Sequence, residues 1–523
     1  MAEFENEGYA RLFHNFENVI EPKECAKIGN VPDWLKGSMI RNGPGMFEIG
    51  DTKYNHWFDG LAYMQRYYFE NGKMFYSARF LESEAYRENM SKNRIVRSSF
   101  GTAAFADPCK TIFARFFSYF FENEPKHDNA NVYFAPLGDR LFACTETPQM
   151  IQVDETTLES KEEVDVGKYV SLHNCTAHHG IDDDGNIFNI GSKFGEGYVL
   201  TFTENSKQGE AWEKTRLIGL VPSTDRFNPT YIHSFGMSQN YFVLFESPVR
   251  INVKRLMLRN IFPISYRETL YWDDSKDVKV FVMNKKSGNL LPFKITMEKF
   301  FTFHHANTYE KDGCIVVDYC RMNRSGNFDA LLIENMKTGT FKNDPQFLPY
   351  FSRCVIPLEI PKDAKVGQNL LEHLEWAKGY QAIVQKDGSL RVIEKRLCEV
   401  SMEFPKFNEK MNMREYQFVY GSSILGDTNL NGIIKIDLKN ATHLIWKKEN
   451  EHQICGEPIF VKDPNGSLED DGLLIVPVMT LNDGQNPFVL ILDAKTLHET
   501  ARFVIPEARI PLGFHAFYRS HVV

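Results

Sequence analysis

Leu61-Ala62-Tyr63-Met64-Gln65-Arg66-Tyr67-Tyr68-Phe69, then Asn71-Gly72, then Lys73-Met74-Phe75-Tyr76-Ser77-Ala78-Arg79-Phe80 is the stretch that decides the fold. Two aromatic-rich runs flank an Asn-Gly pair, and Asn-Gly is the dipeptide that best tolerates the positive φ of a two-residue hairpin turn. The same phrase of strand, turn and strand recurs downstream. It is read at Leu141–Thr145 with Met150–Asp154, where Asp154-Glu155-Thr156-Thr157 turns into a further strand. It is read again at Val278–Pro292 around Lys285-Lys286-Ser287-Gly288, and at Ala330–Phe341 around Lys337-Thr338-Gly339. Two more copies are Ile433–Trp446 and Phe488–Val504, the latter turning through Asp493-Ala494-Lys495. Residues 1–50 read as an irregular lead-in that ends in the turn-rich Arg41-Asn42-Gly43-Pro44-Gly45.

One unit recurring at this density predicts an antiparallel repeat architecture. No Gly- or Pro-rich linker divides the 523 residues, so the chain is expected to form a single domain. Radial blades let one domain outgrow the usual limit of a single core, which makes a β-propeller the predicted fold. Seven blades would take roughly 75 residues each, long for this architecture, so large loops and short helices should form a cap over one face. A pair of β-sandwiches is the competing all-β solution.

Composition narrows the function classes. The formal net charge is −9, and no basic stripe offers a nucleic-acid footprint. The 42 Phe and 22 Tyr suit either a large apolar ligand or a β-rich core. Nine scattered cysteines without a CxxC pair suggest reduced thiols, and five Asn-x-Ser/Thr sequons then carry no weight. The acidic Met1–Glu7 has no apolar run, and no stretch of about 18 apolar residues occurs. A cytoplasmic location is expected.

Phe100 to Glu122 departs from the strand pattern. Phe113, Phe116, Phe117 and Phe120 make its centre aromatic on all sides, with Lys110 and Arg115 among them. Such a segment is too short to span a bilayer but suits insertion into one leaflet, the cations at headgroup level. The region of about 100–122 is therefore expected to be a membrane-binding insertion, and Cys109 at its start is an acylation candidate. A buried loop or partner helix is the alternative.

Fifteen His among 523 residues predict about 0.4 His-His doublets, yet two occur. They lie in similar phrases, Thr176-Ala177-His178-His179-Gly180 and Phe303-His304-His305-Ala306-Asn307. His233 lies between them in Pro229-Thr230-Tyr231-Ile232-His233-Ser234-Phe235-Gly236. His515 sits in the apolar terminus Pro511-Leu512-Gly513-Phe514-His515-Ala516-Phe517. Each adjoins an expected strand, and residues at blade starts converge on a propeller axis whatever their separation. No local spacing such as HExxH supports a metal site, so for each residue a core histidine remains the competing reading.

These phrases resemble the carotenoid cleavage oxygenase family. Three glutamates join them, in Cys144-Thr145-Glu146-Thr147, Met402-Glu403-Phe404-Pro405 and Gly456-Glu457-Pro458-Ile459-Phe460. The likeness extends through Trp57-Phe58-Asp59-Gly60 and Asp470-Asp471-Gly472 over nearly the whole chain. It is strongest toward the animal branch, which holds beta-carotene oxygenases, a retinoid isomerohydrolase and an insect carotenoid isomerooxygenase. The resemblance implies a seven-bladed propeller with Fe(II) on its axis, bound by His178, His233, His304 and His515. It implies that Glu146, Glu403 and Glu457 orient the second, third and fourth of these imidazoles, while His179 and His305 are structural neighbours. Phe100 and Thr145 are positional candidates for the substrate cavity.

The implied reaction is O2-dependent cleavage of a carotenoid at its central 15,15′ double bond to retinal. Coupled all-trans to 11-cis isomerisation of one half is left open. A retinyl ester isomerohydrolase and a non-enzymatic lipid-binding propeller are the alternatives. The branch carries a Pro-Asp-Pro-Cys-Lys phrase where this chain has Ala106-Asp107-Pro108-Cys109-Lys110. That match adds to the expectation of peripheral membrane association, with the endoplasmic reticulum as the expected membrane.

Overall fold

The Asn-Gly hairpin forms where its turn chemistry puts it. Leu61–Glu70 pairs antiparallel with Lys73–Phe80, and Asn71 and Gly72 take φ of 51° and 70° at the turn. The computed structural model describes residues 8–105, 127–206, 212–258, 262–325, 327–338, 348–423, 431–482 and 484–521. Within them, seven sheets of four to six strands follow one another along the chain as the blades of a propeller.

Blade 1 runs outward from Ala516–Ser520 through Gly37–Arg41, Leu61–Glu70 and Lys73–Phe80 to Val19–Glu24. Blade 2 is the meander Tyr133–Leu137, Arg140–Cys144, Gln149–Val153 and Ser160–Asp165. Blade 3 starts with the short strands Asn174–Cys175 and Gly180–Ile181 beside Ile187–Lys193. The inner strands of blades 4, 5 and 6 are Gly236–Met237, His305–Lys311 and Glu403–Lys406. Blade 7 begins with Gln453–Cys455 and Ile459–Lys462, and its outer strand Glu499–Val504 pairs with Ala26–Gly29.

Both ends of the chain close the ring. Gly37–Arg41 is fully buried between Leu61–Glu70 and the C-terminal strand Ala516–Ser520. This corrects the reading of residues 1–50 as irregular, since four strands of the blade sheets lie there. The edge strand Val19–Glu24 exposes five of its six residues and carries Pro22 and charges, so no alternation marks it. Its partner, Lys73–Phe80, lies more than fifty residues away.

The recurring turn has one chemistry. Asp154, Asn284, Asp437 and Asp493 each accept the N–H groups two and three residues on, at 2.8–3.1 Å. The residue after that has positive φ: Leu158, Gly288, Ala441 and Leu497. A side-chain oxygen thus replaces the backbone acceptor that the turn lacks. Of the strands expected at 330–341, none forms among the described residues 330–338. Asn327–Ala330 and Ile333–Thr338 are helical, with Ile333 and Met336 spaced three apart and buried in the same cluster as Leu12 and Phe13.

The seam between the last and first blades carries a direct test. Phe503 is fully buried and meets Phe69 of blade 1 edge-on, with ring centroids 5.8 Å apart. Phe503→Ala should cost about 3–5 kcal/mol. A lowered urea midpoint would register it, and an unchanged midpoint would show that this seam does not hold the ring closed.

Candidate metal centre

The terminus that presents His515 is held by backbone. Asn42 N–H donates to His515 O at 2.9 Å, and Phe514 N–H donates back to Asn42 O at 2.8 Å. Arg41 Nη2 and Trp57 Nε1 donate to the carbonyls of Gly513 (2.9 Å) and Leu512 (3.0 Å). A Cβ on Gly43 would lie 2.4 Å from the Cα of Gly513, so these two segments need glycine to approach.

His178, His233, His304 and His515 each fall just ahead of an inner strand, in blades 3, 4, 5 and 1. Their ligand atoms lie within 4.8 Å of one another. Successive Nε2 atoms are separated by 3.1 Å (His178–His233), 3.3 Å (His233–His304) and 3.2 Å (His304–His515). On the far side of three of these rings stands a carboxylate. His233 Nδ1 is 2.6 Å from Glu146 Oε1, His304 Nδ1 is 2.6 Å from Glu403 Oε2, and His515 Nδ1 is 2.9 Å from Glu457 Oε1. The glutamates come from blades 2, 6 and 7, so every blade contributes one residue.

A carboxylate can only accept, so it fixes the proton on Nδ1 and leaves Nε2 with a bare lone pair. Three such lone pairs facing one another at little more than 3 Å cannot be hydrogen bonds. They are the edges of a cation site, because bonds of about 2.1 Å at right angles separate nitrogens by about 3 Å. Burial favours the neutral rings. It drives His178 far below the ordinary imidazole value and holds His515 down at about 3, against the pull of Glu457. Among the described residues no carboxylate bonds Nδ1 of His178, whose ring instead stacks on Tyr133 at 5.7 Å and 24°.

The second His of each doublet points elsewhere. His179 lies near Trp212, with centroids 6.4 Å apart. His305 Nδ1 is 2.8 Å from Ser234 Oγ, which also accepts the His305 N–H at 3.0 Å. Ser234 follows His233 and His305 follows His304, so this contact latches blades 4 and 5 at their metal-facing ends. Tyr231 completes the blade 2 connection by donating to Glu146 Oε1 at 2.6 Å. Phe404 has φ 55°, a strained conformation for a bulky residue. That turn sets its ring 5.3 Å from His304 and 5.2 Å from His515.

Above the four histidines opens a cavity of about 710 Å³. Phe58, Phe303, Phe404 and Phe514 line it near the histidines, and Phe100 and Thr145 both stand in its wall. Cys109, Phe113, Phe116, Phe117 and Phe120 lie outside the described residues. Sequence reading missed another apolar group. Phe227 and Met257 line the cavity while remaining 63% and 69% exposed, and Leu258 and Phe262 beside them are exposed too. Their spacing follows no strand or helix period, so only the fold gathers them.

Residues 12–520 match the family described as retinal pigment epithelial membrane protein. The chain belongs to that family. It is 33% identical over 528 residues to the carotenoid-cleaving dioxygenase, mitochondrial, of Mustela putorius furo, covering 97% of this chain and 96% of that protein. It is 32% identical over 503 residues to the human beta,beta-carotene 15,15′-dioxygenase, covering 93% and 90%. Among solved structures, the cobalt-substituted apocarotenoid oxygenase of Synechocystis superposes with a TM-score of 0.77 at 21% identity, covering 98% of both chains. That likeness bears on the propeller fold alone.

Removing ligands and removing their partners should differ. His→Ala at 178, 233, 304 or 515 should abolish metal retention and activity. Glu146→Gln, Glu403→Gln or Glu457→Gln should weaken metal binding by about 10–100-fold. Metal analysis of purified variants distinguishes the two classes. Full metal content in His515→Ala would remove the chain's end from the site.

Proposed function

We propose that the chain is a non-haem Fe(II) dioxygenase that cleaves a carotenoid at its central 15,15′ double bond into two C20 aldehydes. The observation that carries the reading is the meeting of four imidazoles, three of them oriented by carboxylates, with an aromatic-walled cavity. Iron bound by four neutral ligands would keep its full charge and two open positions, and would supply O2 activation beside the alkene. The chain's own groups bind and orient. Phe58, Phe303, Phe404 and Phe514 bring ring faces and edges to the cavity, a surface suited to an extended apolar polyene. Glu146, Glu403 and Glu457 each bond an imidazole, so none is a free general base. A reaction that splits an alkene into two carbonyls needs no base.

The relatives named as carotenoid dioxygenases support this substrate class. The reaction is tested by supplying beta-carotene under labelled O2, in parallel with an all-trans retinyl ester, and trapping aldehydes before they exchange with water. Labelled retinal from the carotenoid is expected, and its geometry reports whether isomerisation accompanies cleavage. Unlabelled 11-cis-retinol from the ester, with the carotenoid untouched, would replace the oxygenase by an isomerohydrolase. Binding without turnover of either would make the chain a lipid-binding scaffold.

The same reading includes peripheral membrane binding, because a water-insoluble substrate is best drawn directly from a leaflet. No helix among the described residues is long and apolar enough to cross a membrane. Two features support docking: the aromatic run at 110–121, and the apolar rim of the cavity. Phe227 and Met257 sit at that rim with the exposed cation Lys254, whose Nζ is 5.4 Å from the Phe227 ring. Burying each large rim side chain in lipid would contribute about 1.5–3 kcal/mol. Phe227→Ser combined with Met257→Ser and Phe262→Ser should release the protein from floating liposomes. Flotation equal to the parent's would move the docking surface elsewhere, with Phe116, Phe117 and Phe120 next to be replaced.

A further inference from the structure

His178 is the one metal-facing histidine that no carboxylate orients among the described residues. Its ring stacks on Tyr133, and its carbonyl accepts the Thr176 hydroxyl at 3.1 Å. The residue that follows it is held less directly than its counterpart in the other doublet. There, His305 Nδ1 lies 2.8 Å from Ser234 Oγ. His179 Nδ1 is buried and meets no hydrogen-bond partner among the described residues. The same is true of Trp212 Nε1, an atom that can only donate, on a side chain 5% exposed.

His179 and Trp212 line one small cavity of about 20 Å³ between blades 2 and 3. Thr145, Thr147 and Cys175 form part of its wall and part of the wall of the large cavity. A buried polar atom left unpaired costs more than a hydrogen bond returns, so two of them beside one cavity call for a shared occupant. About 10–15 Å³ of such space admits one water, and a buried water makes about three hydrogen bonds. Three are on offer here. Trp212 Nε1–H donates, and His179 Nδ1 accepts or donates, since water serves either tautomer. The third comes from Thr203 and Thr215, which also line the cavity: their hydroxyls lie 2.8 Å apart and share one proton, leaving the other. Dioxygen, a poor hydrogen-bonding molecule, would leave both nitrogens unpaired.

We infer that this cavity holds one ordered water that ties His179 to Trp212, and that the tie positions the adjacent ligand His178, standing in for the carboxylate the other three ligands have. The inference rests on the metal-centre reading above. Trp212 is a firm anchor, because its ring meets Phe142 of blade 2 edge-on at 5.4 Å and packs with Cys144, Ala177 and Ile187. The ligand is then held from Thr176 on one side and from His179 on the other. His179 is a positioning residue that never touches the metal.

A crystal structure of the metal-loaded parent is the first test. One water within hydrogen-bonding distance of both Trp212 Nε1 and His179 Nδ1 is expected. A protein group on either nitrogen, or no water between them, overturns the inference. The second test is release of Co(II) from the Co(II)-loaded protein to excess chelator, followed by the visible bands of the bound ion. Trp212→Phe and His179→Leu should each speed release by about tenfold, within the range carried by groups that orient ligating imidazoles. Each should also shift the Co(II) bands, which a loss of stability alone would leave in place. The double variant should release no faster than the faster single one, because both substitutions break the same bridge. Effects that multiply would mean two independent packing losses and overturn the tie. Parent-like release and bands in both single variants overturn it too, and leave the metal centre standing. A parent that binds no Co(II) overturns the metal centre and the inference together.

Discussion

Three of the four axial imidazoles have their Nδ1 protons fixed by carboxylates, and this constraint governs the rest of the molecule. It obliges the bare Nε2 lone pairs of His233, His304 and His515 to face one another at 3.2–3.3 Å. No hydrogen bond relieves that contact, so a cation must. Holding seven side chains to that tolerance requires that no blade shift relative to its neighbours. The ring is accordingly closed twice, by Gly37–Arg41 against the C-terminal strand and by Ala26–Gly29 against the last blade. Backbone bonds between Asn42 and residues 514–515 carry this rigidity to His515 itself. The Ser234–His305 contact does the same between the second and third histidines.

What the sequence revealed of this follows the range of the forces involved. The hairpins were legible because an Asx side chain capping the next two or three N–H groups is local chemistry, repeated at Asp154, Asn284, Asp437 and Asp493. Val19–Glu24 and Ala26–Gly29 were not, because they are exposed edges whose partners are distant in sequence. Residues 331–336 were misread because a short apolar run bounded by turn residues suits either period, and only packing against the N-terminal segment decides for helix. The histidines were found through the phrases around them. Their convergence depends on contacts 55 to 211 residues long, and the pairing of Glu146, Glu403 and Glu457 with particular rings on contacts 58 to 99 residues long.

The cavity was the least legible part. Its aromatic wall draws single residues from many segments, with no period to betray it, and Phe404 reaches the histidines only through a positive φ that no rule assigns to phenylalanine. Strain of this kind persists where the surroundings over-determine it, as they do between two buried rings and the own carboxylate of Glu403, which accepts the Phe404 N–H at 2.8 Å.

The charges on the axis also limit which ion can sit there. Glu457 is fully buried, and although burial raises its pKa, Lys406 and His515 bring it down to about 2. It therefore stays ionised. Lys406 Nζ is 3.1 Å from its Oε1 and 5.4 Å from the Tyr133 ring that stacks on His178. Four neutral imidazoles contribute no charge, the three glutamates contribute three negative charges when ionised, and Lys406 returns one positive. Arg41 beside Glu457 and Glu409 beside Lys406 offset each other when both are charged, so a divalent ion would make the cluster neutral, whereas a trivalent ion would leave a net positive charge beside an apolar cavity, where it is poorly solvated. On this reading, Lys406 belongs to the metal centre although it touches no ligand. By offsetting one glutamate, it allows three rings to be oriented by full carboxylates without leaving the axis negatively charged around a divalent ion.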